Sequence, residues 1–327
     1  MFRSHCGWLT IMCAAISLSC SDSAGPGSME SWTAGHLPGG DFSFYRRIKF
    51  TDHLHGWAVG DSGRILHTSN GGDSWEFQHS GTTVPLHCAF FVDIQTGWVA
   101  GNNATILHTT DAGLTWTVQH PGTNTSGTIT SLSFVDALRG WAGVNSGEIA
   151  HTTDGGNTWL LQQSGTRWAI TSVHFINPMK GWATATNQII LRTVDGGSHW
   201  NVEQLENPSP LIFTDVYFVD EQRGWIATIV ASSRIESGTL LLYSADGGTT
   251  WASEATLPVI YLHSIYFADP NNGWVAGESQ IFRTSDGGKR WDPSYSADGD
   301  NIVSLSFTDR NHGWALSSKG VVLRYER

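Results

Sequence analysis

TTDGGNTW, residues 152–159, sets an aspartate two positions after a hydroxyl residue, then two glycines and a closing tryptophan. A short carboxylate can accept hydrogen bonds from the N–H groups of its own turn, and glycines supply the positive φ such a turn requires. The stretch therefore reads as a tight turn between two strands. Related octads recur at 68–75 (TSNGGDSW), 109–116 (TTDAGLTW), 193–200 (TVDGGSHW), 244–251 (SADGGTTW) and 284–291 (TSDGGKRW). Their turn residues are Asn70, Asp111, Asp154, Asp195, Asp246 and Asp286. Asn70 keeps the turn chemistry without the charge, so the role expected of all six is structural. A calcium loop would need several oxygen ligands converging on one ion, and each octad offers a single carboxylate followed by two residues without side-chain oxygen.

A second motif alternates with the first. A phenylalanine is followed two residues later by Asp or Asn, and seven residues later by the tryptophan of a Gly-Trp pair. The pairs are Phe50/Trp57, Phe91/Trp98, Phe134/Trp141, Phe175/Trp182, Phe218/Trp225, Phe267/Trp274 and Phe307/Trp314. Successive Gly-Trp tryptophans are 41, 43, 41, 43, 49 and 40 residues apart. That period, in a chain with 37 Gly, 16 Trp and only 14% charged residues, is the size of one four-stranded propeller blade. In the third repeat, ITSLSFVD (129–136) is the innermost strand, GWAGV the second, EIAHT the third and TWLLQQ the fourth.

Seven Gly-Trp units accompany only six octads. SWTAGHLP (31–38) resembles the segment that follows each octad, and the chain ends at GVVLRYER, where a seventh would begin. Trp32 is thus expected on the outer strand of the last blade, closing the ring and removing its open edges. The fold expected is all-β: a seven-bladed propeller over residues 31–327. Each motif tryptophan buries roughly 150–250 Å², an upper bound near 4–6 kcal/mol apiece at about 25 cal/mol/Å².

The first twenty residues differ in character. Arg3 precedes a short apolar stretch closing on small residues, as in a secretory signal, and too short to span a bilayer. Residues 1–19 read as a signal peptide resembling that of a bacterial lipoprotein, with Cys20 the lipidated residue and 20–30 a flexible tether. Plain secretion with an unmodified Cys20 is the alternative. With Cys20 acylated, Cys88 is the one cysteine left and no intrachain disulfide forms. The expected location is the periplasm or cell surface, with the membrane reached only through the lipid. The formal net charge of −11 argues against nucleic acid, whose phosphates need Lys and Arg, and against a polybasic hold on anionic lipid.

The octad is the Asp-box, or bacterial neuraminidase repeat, shared by sialidases, sortilin-type receptors and xyloglucanase-type glycosidases. Joined to the Phe/Asp/Gly-Trp run and to the Ile-Leu that precedes several boxes, it most resembles the photosystem II stability and assembly factor family over residues 31–327. That resemblance implies a seven-bladed propeller acting as an assembly scaffold without chemistry of its own, in photosystem II assembly or repair where the host is photosynthetic. Function itself must be argued from sites.

Two groups of residues vary between repeats. One precedes each box: His67, His108, His151, Arg192, Tyr243, Arg283 and Arg324. The family resemblance implies arginine there, matched by Arg192, Arg283 and Arg324. The histidines and Tyr243 depart from it. This set is either a basic ring for a partner or a row of side chains stacked on the box tryptophans and reaching to water. Three histidines on separate blades lie too far apart for zinc, so no metal is expected. The other group belongs to the opposite face and the channel. Arg167 and Trp168 form an aromatic-plus-guanidinium anchor for a protein or sugar. The insertion IVASSRIESG (229–238) is a lip over the channel mouth. Arg47, Lys49, His174, Asp215, Tyr217 and Tyr266 interrupt the serines of the inner strands. These too read as either a binding site or loop decoration and solvated lining.

No catalytic set emerges. A glycosidase needs two facing carboxylates, and nothing in the spacing pairs Asp215 with Glu148, Glu236 or Glu278. No phosphate loop, nucleophile elbow or metal cluster is present. The expectation is a monomeric, cofactor-free binding scaffold with a protein partner at a membrane. A glycosidase or lectin using the loop face is the rival.

Overall fold

The computed structural model describes residues 31–39, 45–120, 127–206, 210–230, 239–259, 261–297 and 299–327. The expectations for residues 1–30, including Cys20, for Glu236 and for most of the 229–238 insertion fall outside them. The described chain forms seven antiparallel four-stranded sheets, each ordered first to fourth strand from the inside outward. Blade three runs Ile129–Phe134, Gly140–Val144, Ile149–Thr152 and Leu160–Gln162. Blade seven takes three strands from the C-terminus, and its outer strand is Ser31–His36, paired with Val321–Glu326 through Trp32↔Tyr325. The ring is closed by joining the two ends of the chain, as the missing seventh box implies.

One aromatic stack, repeated seven times, explains the spacing of the motif. The Gly-Trp indole of each blade lies flat on the phenylalanine of the next, at 3.6–3.9 Å between centroids, from Trp57 on Phe91 round to Trp314 on Phe50. The same phenylalanine meets its own blade's box tryptophan edge-on; Phe134 and Trp159 stand 6.0 Å apart at 89°. Trp32 takes that slot against Phe307, at 6.1 Å and 89°. It replaces a box tryptophan geometrically, although no box precedes it. All seven Gly-Trp indoles are fully buried, and the edge-on contacts of the same phenylalanines with the box tryptophans add to area burial.

The glycine of Gly-Trp is fixed by the same stack. A Cβ on Gly140 would sit 2.2 Å from the Phe134 ring, and all seven positions share that conflict. The indole N–H then reaches the next blade's box turn: Trp98 Nε1 donates to Gly155 O at 3.1 Å and Trp141 Nε1 to Gly196 O at 3.0 Å. Trp314 closes the circle on Gly71 O at 2.8 Å. Trp274 faces blade seven, which has no box, and its Nε1 finds no partner among the described residues. Trp225 also lacks the bond, and nothing in the structure explains it.

Candidate functional site

The box aspartates act within their own turns. Thr158 donates to Asp154 from its backbone (2.8 Å, Oδ1) and its hydroxyl (2.7 Å, Oδ2), while Thr152 Oγ1 donates to Oδ1 at 2.9 Å. These bonds favour the ionised carboxylate and hold it below its usual range; at Asp195, bonds from His199 lower it to about 2. Asn70 makes the neutral version, accepting from Ser74 N at 3.0 Å. The Asp of the Phe/Asp/Gly-Trp run caps the turn between strands one and two in the same manner, Asp136 Oδ1 accepting from Leu138 N and Arg139 N. Gly155 N donates to Leu138 O at 2.9 Å, so both turn types crowd one face of the ring, the box face. The box aspartates, one on each of blades two to six, form no common site.

The residues preceding each box do line that face, all half-buried, but they do not stack on the box tryptophans as expected. Their platform is the Gly-Trp indole, because the antiparallel register sets the two directly opposite: Trp57↔His67, Trp98↔His108, Trp141↔His151. Ring centroids are 4.7 Å apart for Trp98–His108 and Trp141–His151, and Arg283 lies 5.6 Å over Trp274. Five of the indoles, Trp57, Trp98, Trp141, Trp225 and Trp274, are thus sandwiched between a phenylalanine and a polar lid. Burial pushes the pKa of His67, His108 and His151 down, so these imidazoles are neutral at pH 7. The arginines are engaged as well: Arg192 Nη1 donates to Thr249 Oγ1 at 3.0 Å, and Arg324 pairs with Asp73 at 3.3 Å and with Glu326. Cations are therefore confined to blades four, six and seven. Among the described residues no His, Cys, Asp and Glu side chains group to hold a metal.

The six inner-strand residues meet in the central channel, lining one cavity of about 300 Å³. They stand at two repeated positions of the inner strands, the first held by serine in four blades and the second in two. Ser131 and Ser133 accept from Val173 N (3.1 Å) and Phe175 N (2.9 Å) of the next blade, and Ser304 and Ser306 accept from Ile48 N and Phe50 N. At these positions His174, Asp215 and Tyr217 also bond to the next inner strand, but only Asp215 accepts from a backbone N–H as the serines do. His174 Nε2 donates to Phe218 O at 2.9 Å, Tyr217 OH donates to Phe267 O at 2.8 Å, and Asp215 accepts from Ser172 Oγ at 2.9 Å and Ile265 N at 3.3 Å. Burial lowers His174 to about 4 and raises Asp215, the latter offset by Arg47. Burial also raises Tyr266 to about 12. Arg47 and Lys49 are the exceptions, with no hydrogen bond or ion pair among the described residues. Burial, then the charge of Arg47, lowers Lys49 to about 8, and its Nζ lies 5.3 Å over Phe90. Sequence reasoning picked out these residues but not the bonds that the serines make between blades, signalled only by Ser-x-Ser in the two SLSF strands.

Arg167 and Trp168 stand apart from the channel. The guanidinium lies 5.5 Å over the indole, which is 39% exposed, and Arg167 borders a separate depression with Glu148. Ser164 pins this loop, accepting from Thr166 N and donating to Thr166 O and Gly147 O. Glu148 thus lies away from Asp215, which is the one carboxylate lining the channel cavity. The two facing acids of a glycosidase are not assembled there.

Comparison with known proteins follows the same direction. The chain matches the family described as photosynthesis system II assembly factor YCF48 over residues 27–167, 161–259 and 253–326. No curated protein matches it in sequence. Among solved structures it is similar to YCF48 bound to a D1 peptide (21% identity, 90% of this chain and 95% of that one, TM-score 0.73). It is also similar to YCF48 from Cyanidioschyzon merolae (20%, 90% and 98%, 0.71). A virginiamycin B lyase from Staphylococcus aureus superposes equally well (15%, 91% and 99%, 0.74). At these identities the superpositions speak to the fold, which assembly factors and enzymes share.

Proposed function

The chain belongs to the photosynthesis system II assembly factor YCF48 family, and from that premise we propose that it is an exported, non-enzymatic scaffold that binds a protein partner at a membrane. The observation that carries the reading is the family match, which spans all seven blades. A structural relative is solved bound to a D1 peptide; in a photosynthetic host the partner of this chain is then the D1 protein of photosystem II. Acylation of Cys20 holds the propeller at the membrane, and residues 21–30 are its tether. The lack of a second carboxylate beside Asp215 supports a scaffold over a glycosidase.

The partner engages the loop face through Arg167 and Trp168. An exposed indole under a guanidinium that makes no ion pair among the described residues combines two residue types enriched where binding energy concentrates, whereas Arg192, Arg283 and Arg324 on the box face already have partners. The test is capture from native-host membranes with tagged full-length protein. Wild type is expected to retain D1, and an Arg167→Ala, Trp168→Ala double variant to retain at least tenfold less. Loss of D1 from both, with retention on a polysaccharide resin, would overturn the scaffold in favour of carbohydrate binding.

A further inference from the structure

Exposed apolar side chains are distributed unevenly round the ring. Among the described residues, twelve of the fourteen large exposed hydrophobics lie between Leu54 and Val202, in blades one to four. Six of them crown the box face: Leu54, Ile94, Leu138 and Met179 at the tips of the strand-one-to-two turns, and Leu114 and Val194 in the boxes. Leu114 is 82% exposed, Leu138 and Val194 58%, Met179 53%. Single exposed leucines are ordinary, but exposed apolar side chains gathered on one side of one face mark an interaction surface. The turn tips of blades five to seven are mostly polar, with Gln222, Asn271 and Asn311 at the position of Leu54, Leu138 and Met179, and Glu221, Pro270 and Arg310 at that of Ile94. Leu114 and Val194 are particular to their own boxes, since the other boxes carry polar or small residues at both positions. The apolar arc continues over the rim, where the outer strands of blades one to four carry Phe77, Val118, Leu161 and Val202 at matching registers.

The chain's own entry point says what covers this arc. Ser31 pairs with Glu326, at the end of the third strand that leads to the box face, so everything before Ser31 leaves from that face. Cys20 is eleven residues upstream, a reach of at most about 36–40 Å. We propose that the box face of blades one to four rests on a neutral lipid surface, its leucines, isoleucine and methionine entering the headgroup layer. This rests on the lipid anchor at Cys20. A formal charge of −11 selects zwitterionic or uncharged headgroups over anionic ones. It also turns Arg167 and Trp168, on the opposite face, away from the bilayer and toward a partner's exposed segment.

The test uses the full-length processed, acylated protein on phosphatidylcholine vesicles whose acyl chains carry a quencher. Cys88 is buried with its thiol pushed up to about 12, so an added cysteine takes a fluorophore selectively. Labels at Leu114→Cys and Leu138→Cys are expected to be quenched at least threefold more than one at Tyr261→Cys on the loop face. Replacing Leu54 and Met179 by Asp should then weaken quenching at position 138. An acylated chain that floats with the vesicles, yet shows equal quenching at 261 or none at 114 and 138, overturns the proposed face alone. A chain unmodified at Cys20 by mass spectrometry that stays out of the vesicle fraction overturns the anchor and the face together. Self-association would not imitate the expected result, because the quencher lies within the lipid.

Discussion

At the scale of single residues, the protein places side chains that look chemical into structural service. His174 is the clearest case: an imidazole in a channel cavity, where catalysis is easily imagined, used to donate one hydrogen bond to Phe218 O of the next blade. Burial lowers it to about 4, against about 6.5 in an unfolded chain. Below pH 6.5 the unfolded state takes up the proton first, so the stability tied to neutral His174 is complete above that pH and is lost as pH falls toward 4. Between pH 7.5 and 4.5 this amounts to about 2–3 kcal/mol. His174→Gln should lose that much less unfolding free energy over the same interval, measured by denaturant titration at both pH values. Parallel losses in the two proteins would show that the site carries no such linkage. The box aspartates act at lower pH with the same sign. Asp195 and Asp246, held at about 2, contribute stability above the unfolded carboxylate range, and that stability is lost as the pH falls through 2.

At the scale of the blade, each motif residue answers to the same aromatic sandwich. Phe134 separates two tryptophans from different blades, one flat and one edge-on, so its neighbours on every side are fixed. Gly140 must lack a Cβ because that ring occupies the space. Gly140→Ala should therefore destabilise by about 2–3 kcal/mol, as overpacking of a rigid core does. Gly81→Ala is a useful comparison: nothing lies within 4 Å of its Cβ position, although its positive φ adds some strain. A Gly140→Ala midpoint as high as wild type in urea would refute the steric account. The repeat made this part of the molecule legible from sequence, since spacing alone identified Phe, Gly and Trp as one unit. Their mutual arrangement was not legible. His108 was expected on a box tryptophan and lies on Trp98, a consequence of cross-strand register that no single repeat declares. The same limit applied in the channel. Arg47, Lys49, His174, Asp215, Tyr217 and Tyr266 could be recognised as departures from serine. That three of them merely hydrogen-bond to the neighbouring inner strand required knowing which inner strand follows which in space.

For the molecule as a whole, the consequence of a closed ring is that no blade is independent, and the least continuous one decides the outcome. Blade seven is completed by Ser31–His36, the only outer strand not covalently continuous with its third strand. It also lacks a box turn to receive the indole N–H of blade six, and Trp274, like Trp225, makes no such bond among the described residues. Trp32 compensates through contacts with Phe307, Tyr325 and Tyr295 and a 3.0 Å bond from Nε1 to Ser294 Oγ on blade six. Truncating it to alanine should cost about 3 kcal/mol and lower the melting temperature by several degrees. Trp75→Ala fills the same slot in a blade whose chain is continuous, so it should cost comparable stability without loosening the closure. Deleting Ser31–His36 goes further, because Val321–Glu326 then becomes an edge with unpaired N–H and C=O groups, a template for pairing with another chain. The deleted protein should sediment as larger species at concentrations where the parent does not, and its melting should begin in blade seven by hydrogen exchange. If the deletion leaves both sedimentation and exchange in that blade unchanged, Ser31–His36 is not what holds the ring shut, and the remaining contacts of blade seven with blade one suffice: the Trp314–Phe50 stack, the Trp314 bond to Gly71 O and the serine bonds to Ile48 N and Phe50 N.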